Sequence, residues 1–453
     1  MTTTSSRGDV GRPAGVLSRR DFLRTAAAAA AWTITPPWLA PWAHVGVSGV
    51  VRQYDAAVPD AHAQVLLRLI ESTPGFTPPV ASRAIAYFGV ALYESLVPGM
   101  RGYRSLHGIL PGFPDTPMTP GSSLHWPTVA NYALGGVINA LFPSNAPMIG
   151  MVGALIKDID ATFAIPKPVR DRSADRGTNI AGIVADWAAS DGGHEGYTRN
   201  FPAGYVPVSG PGLWVPTPPA FQPIPLQPFW GANREFVDAG CVAPPPPEYS
   251  IDADSTFFRF AMEVHDTSLT LTAEQAEIAL FWADDPGTVT PPGHSFSMLR
   301  QVLAAEDESL ERAAEAYLRV GCTIADAFIQ CWRTKYIWNL LRPVTFIRAT
   351  VDPAWNTLVT TPPFPEYSSG HSAQSGAWAE AMTSFFGDGY GFTDHTHDEA
   401  GLTPRSFTSF HHAAAETAVS RLYGGIHYRF GNENGLDSGV CIGRKAADLP
   451  LQA

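Results

Sequence analysis

Positive charge, cysteine and long hydrophobic runs are all scarce in this chain, and each scarcity removes a class of function. Of 453 residues only 16% are charged, and 42 acids against 30 lysines and arginines give a formal net charge of -12. That balance argues against a nucleic-acid groove or an anionic membrane surface as partner, because both demand a basic face. Any anion bound here has to be held by a local cluster of cations. The four cysteines, Cys241, Cys322, Cys331 and Cys441, lack the paired short spacings of a zinc site and are too few for a disulfide framework. They read as small buried apolar residues. Cys322 and Cys331 lie nine positions apart in a helical pattern, half a turn out of phase, which argues against a local bridge. Period-2 alternation and internal repeats are missing as well, so no sheet and no repeat architecture is expected.

One mildly apolar run stands at the N-terminus. In "SRRDFLRTAAAAAAWTITPPWLAPWA" the pair Arg19-Arg20 is followed by Phe22-Leu23 and then by apolar residues from Thr25 to about Ala43. This resembles a twin-arginine export signal, in which a receptor of the export machinery reads the arginines and the apolar run is too short and weak to anchor. Residues 1–43 are therefore expected to be a leader that sends the folded protein out of the cytoplasm, to the periplasm or beyond. No second stretch is expected to span a membrane.

Helical periodicity dominates the rest, and 45% apolar residues suffice for a large core. "PPVASRAIAYFGVALYESLV" and the stretches around 129–142, 148–163 and 176–189 carry apolar residues at helical spacing. Between about 200 and 250 the chain is too rich in proline for helix or central strand. It reads as a long ordered loop pinned by Trp214, Phe221, Phe229 and Trp230. Helices resume with "TAEQAEIALFWAD", opened by an N-cap at Thr272. The longest pattern, "ESLERAAEAYLRVGCTIADAFIQCWRTKYIWNLLRP", is expected to end at Pro343. The fold class is all-α, a helical bundle with a long Pro-rich loop, in a single domain over 44–453.

Three elements in the C-terminal part carry chemistry. Lys335 and Arg342 are seven positions apart, so on one helix they share a face. Alone, such a pair is a solvated stripe. "FPEYSSGHSAQSG" then places Ser369, Gly370 and His371 at the start of an apolar helix. A hydroxyl, an approachable backbone N–H and a group that exchanges protons near neutral pH can all serve one oxyanion there. Finally, in "SRLYGGIHYRFGNENG" the breaker pair Gly424-Gly425 lets the chain bend so that Arg421 and His427 aim inward together.

Taken in order, K-x6-R-P, S-G-H and S-R-x5-H resemble the signature of the vanadium-dependent haloperoxidases and the related phosphatidic acid phosphatase type 2 superfamily. The resemblance is close to the fungal vanadium chloroperoxidase type at "WRTKYIWNLLRP" and "PPFPEYSSGH", and weaker at "FWADDPGTVTPPGH". It implies that Lys335, Arg342 and Arg421 bind vanadate oxygens with Ser369 and Gly370, that His427 binds the metal at the apex, and that His371 is the acid–base group. Asp285 matches an aspartate bracing an active-site arginine, and Phe364 and Trp332 match the halide-side aromatics. Ser368 departs from the family's usual proline.

The implied activity is oxidation of halide by hydrogen peroxide to hypohalous acid, with a small organic acceptor as a possible further partner and vanadate as cofactor. The same residues also suit an exported phosphatase, with His427 attacking phosphorus and no resident cofactor. A non-catalytic oxyanion binder is a third reading, but it would have no use for both histidines.

Overall fold

Helix boundaries in this protein follow the chemistry of their caps. In the computed structural model, which describes residues 50–117, 123–143, 145–237 and 239–452, thirteen helices are found among the described residues. Five come before the proline-rich segment: α1 (Ala57–Ser72), α2 (Pro78–Leu96), α3 (Trp126–Leu141), α4 (Ala146–Thr162) and α5 (Lys167–Ala189). Eight follow it: α6 (Thr256–Leu269), α7 (Ala273–Phe281), α8 (Thr290–Ala305), α9 (Leu310–Trp338), α10 (Pro343–Thr350), α11 (Gly370–Phe386), α12 (Phe410–Tyr423) and α13 (Arg429–Ala447). Thr272 forms a capping box with Gln275 at the start of α7, as its sequence suggests. The export-signal reading of residues 1–43 lies outside the described residues.

The core is built by close helix approach. α2 packs along α9, where a Cβ on Gly89 would run into the Tyr317 carbonyl and one on Gly321 would meet the Ile85 carbonyl at 2.9 Å. Contrary to expectation, α2 with its extension to Gly99 is long and apolar enough to cross a membrane. It is also wholly buried, and a helix that is apolar all round belongs either in lipid or, as here, at the centre of a core. α11 lies against α13 through Gly435, Gly439 and Gly443, spaced four apart on one face. A Cβ on Gly435 would stand 2.9 Å from the Ser369 carbonyl and one on Gly443 2.7 Å from that of Ala377. This seam sets where α11 begins.

Four sequence expectations are corrected. The long helix ends at Trp338, not at Pro343: Asn339 takes the left-handed conformation at φ 47°, and Arg342 is extended as the N-cap of α10. Pro343 accounts for the extended Arg342, since a residue before proline is driven out of the helical region. Lys335 and Arg342 therefore do not share a helix face. A short antiparallel pair, β1 (Phe392–Asp394) with β2 (Arg405–Phe407), interrupts the helices. Cys241 and Cys441 form a disulfide across 200 positions, so only Cys322 and Cys331 remain as free buried thiols. Of the four aromatics expected to pin the proline-rich segment, Trp214 and Trp230 are buried, whereas Phe221 and Phe229 are exposed.

Candidate active site

The end of α9, the turn before α11 and the end of α12 converge on one cavity of about 540 Å³. Its walls include Phe328, Trp332, Phe364, Gly370, His371, Arg421 and His427. The proline-rich segment completes it: Leu226 lines the wall, its N–H donates to the Pro363 carbonyl at 2.9 Å, and its own carbonyl accepts from Trp332 Nε1 at 3.2 Å. Trp332 and Phe364 touch with ring centroids 5.0 Å apart.

Lys335, Arg342 and Arg421 are fully buried. None forms an ion pair with a carboxylate among the described residues; their donors go to carbonyls, a hydroxyl and imidazoles. Lys335 Nζ donates to the carbonyls of Pro365 at 3.0 Å, Glu366 at 2.8 Å and Ser368, so all three of its N–H groups hold the turn before α11. With its donors committed, it acts on His427 through its charge. Arg342 donates from Nε to the Phe364 carbonyl at 2.8 Å and from Nη1 to the Ile426 carbonyl at 2.9 Å, and Nη1 lies 3.1 Å from His427 Nε2. Its Nη2 is buried with no partner. Arg421 donates to Ser420 Oγ at 3.0 Å and to the Ala279 carbonyl at 3.1 Å, and its Nη1 stands 3.4 Å from His371 Nε2. Burial pushes Lys335 down to about 8, and Arg342 and Arg421 down to about 10.

Both histidines are held neutral, with pKa values well below the ordinary value, by burial and then by nearby cations: Arg342 and Lys335 for His427, and Arg421 for His371. His427 donates Nδ1–H to Glu366 Oε1 at 2.7 Å, which leaves Nε2 with a lone pair. The bend at Gly424-Gly425, with Gly425 at φ +78°, carries the chain from α12 to His427. His371, half-buried at the cavity wall, keeps Nε2 toward Arg421. Ser369 caps α11, its Oγ accepting from the Ser372 N–H at 3.3 Å and the Ser372 hydroxyl at 3.0 Å, so its own hydroxyl proton remains to donate. Gly370 opens the helix, where its N–H has no intrahelical acceptor.

The resemblance did not point to two groups. Glu366, inside the quoted "FPEYSSGH", is buried, and burial raises it to about 7 despite Lys335 and Arg342. Behind His371 lies a buried network in which His294 bridges Asp284 at 3.0 Å and Asp394 at 2.6 Å, while His397 reaches Asp284 at 3.1 Å. Asp285 itself is exposed on the cavity rim and acts on Arg421 only through space, so the expected bracing contact is not made. Asp284 is the buried acid of the pair and the stronger influence on Arg421.

Arg421, His371 and His427 line the cavity, with the buried Arg342 against His427 and the buried Lys335 close enough to act on it by charge, an arrangement able to hold an oxyanion. The family model of the VCPO second helical-bundle domain matches residues 315–452. The chain is similar to the solved structure of a bacterial vanadium-dependent iodoperoxidase, with 34% identity and a TM-score of 0.80 over 87% of this chain and 96% of that one. Apo and holo structures of a bacterial vanadium-dependent chloroperoxidase share the fold at 18% identity, with TM-scores of 0.63 and 0.64 over 83% and 90% of this chain and 96% of theirs. No curated protein sequence matches. The chain belongs to the vanadium-dependent haloperoxidase family.

Proposed function

We propose that this protein is an exported vanadate-dependent haloperoxidase and that His427, Arg342, Arg421, Ser369 and Gly370 hold its vanadate. The observation that carries the reading is the three buried cations without a carboxylate partner, one of which, Arg342, meets the lone pair of His427 Nε2 at 3.1 Å. Buried charge in this arrangement calls for an anion, and the orphaned Nη2 of Arg342 fits an oxyanion oxygen. Charge-assisted hydrogen bonds of this kind contribute about 1.5–3 kcal/mol each.

When bound, vanadate supplies a Lewis-acidic centre at which hydrogen peroxide is made electrophilic toward halide. Lys335 holds the turn from Pro365 to Ser368, which leads into Ser369 and Gly370 at the start of α11. His371, neutral at physiological pH, takes a proton from peroxide at Nε2 and returns it to the departing oxygen. Trp332, Phe364 and Phe328 keep bulk water from the halide side of the cavity. The Arg19-Arg20 pattern and the disulfide between Cys241 and Cys441 support a location outside the cytoplasm, where disulfides persist.

A paired assay tests the reading: oxidation of iodide, bromide and chloride by hydrogen peroxide after vanadate loading, beside phosphate-ester hydrolysis without vanadate. Iodide comes first because the 34% identical relative is described as an iodoperoxidase. Halide oxidation that depends on vanadate is expected. Ester hydrolysis that vanadate merely inhibits would assign the site to a phosphatase.

A further inference from the structure

Glu366 lies in the turn three positions before Ser369 but is not one of the motif residues, yet it touches His427. Its Oε1 accepts the Nδ1–H of His427 at 2.7 Å and the backbone N–H of Tyr428 at 3.2 Å. Its own backbone N–H donates to the Leu340 carbonyl at 2.9 Å, which fixes the residue from the other side. Gly431 flanks the carboxylate so tightly that a Cβ there would collide with Oε1. Both the carboxylate and the imidazole are fully buried, so no water competes for the contact.

We propose that Glu366 is a positioning residue, one that locks His427 in the Nδ1–H tautomer and aims its Nε2 at the oxyanion. The inference rests on the haloperoxidase reading and goes beyond the motif residues. Arg342 Nη1, which can only donate, faces Nε2 at 3.1 Å, so both ring nitrogens have assigned roles. A carboxylate behind a ligand histidine orients the ring and raises the basicity of the coordinating nitrogen. Such a partner matters only to an anion that accepts a fifth ligand. Vanadate does so readily, whereas phosphate does so only in a transition state.

Charge alone makes the opposite forecast. Glu366 adds a negative charge to an anion site, so removing it should tighten every anion if electrostatics were its whole contribution. The test is calorimetric titration of the full chain with vanadate and, separately, with inorganic phosphate, comparing wild type with Glu366→Gln. Vanadate affinity is expected to fall by about 10–100-fold, the usual effect of losing such a partner, while phosphate affinity holds or rises. A parallel change in the two affinities, in either direction, overturns the positioning role. Glu366→Asp covers the case in which the glutamine variant does not fold: it keeps the charge but cannot span the 2.7 Å contact, and so should lose the preference for vanadate. Retained preference in that variant counts against the proposal. Wild-type protein that binds vanadate no better than phosphate would instead remove the haloperoxidase reading itself.

Discussion

At the residue scale, the two site histidines should separate under mutation. His371 touches the cavity and Arg421 but sits on a different element from His427. His371→Ala should therefore keep vanadate affinity within a few-fold while turnover falls by about 10²–10⁴, the usual range for a lost acid–base group. Steady-state kinetics beside equilibrium binding checks both halves. His294 gives a pH prediction. Burial alone would lower its pKa, but Asp284 and Asp394 raise it to about 10, above the unfolded value of 6.5. The raised value means its stabilisation is complete below pH 6.5 and is lost as pH climbs toward 10. Melting temperatures across that window should decline more steeply in wild type than in His294→Gln. The motif residues were legible in the sequence because oxyanion chemistry restricts them to a few types at set intervals. Glu366 stood inside the quoted stretch but, read along the chain, an acid in a loop gives no sign that it is buried against a histidine 61 positions away.

At the element scale, most helices announced themselves through apolar spacing and caps, as α7 did at Thr272. The end of α9 did not. An unbroken apolar pattern concealed the left-handed Asn339, and the consequence of Pro343 for Arg342 emerges only once the two helices diverge. The glycines of α13 are a further silent feature, since their role depends on the backbone they face. Gly439→Ala should destabilise the protein by about 1–3 kcal/mol, as overpacked seams do, because its Cβ would collide with the Ala373 carbonyl. Gly182→Ala is the contrasting case: nothing lies within 4 Å of the added methyl in mid-helix, and about 1 kcal/mol of stabilisation is expected. Denaturant unfolding of the two variants decides the matter, and equal effects would remove the argument from close approach.

At the scale of the whole molecule, one covalent link joins the proline-rich segment to α13. Cys441→Ser should cost about 2–5 kcal/mol in thermal or denaturant unfolding, because closing so long a loop restricts the unfolded chain. The same segment supplies the Leu226 carbonyl to Trp332, so the variant should also show looser geometry at the cavity wall, visible as faster hydrogen exchange around 226. An unchanged melting temperature would refute the expected contribution of the bridge. All four named aromatics were expected to pin the segment, yet Trp214 and Trp230 face inward while Phe221 and Phe229 are left on the surface.

Sequence alone determined the class of this protein, because apolar periodicity dictates helices and because binding an oxyanion in an acidic chain demands clustered cations beside histidine. Tertiary structure alone decided the rest: that Cys241 meets Cys441, that Asp284 rather than Asp285 is the buried acid near Arg421, and that Glu366 backs His427. Each of these joins residues far apart in the chain, and the contact exists only where separately formed elements meet. No local propensity encodes such a meeting, since its stabilisation arises when both partners lose water together.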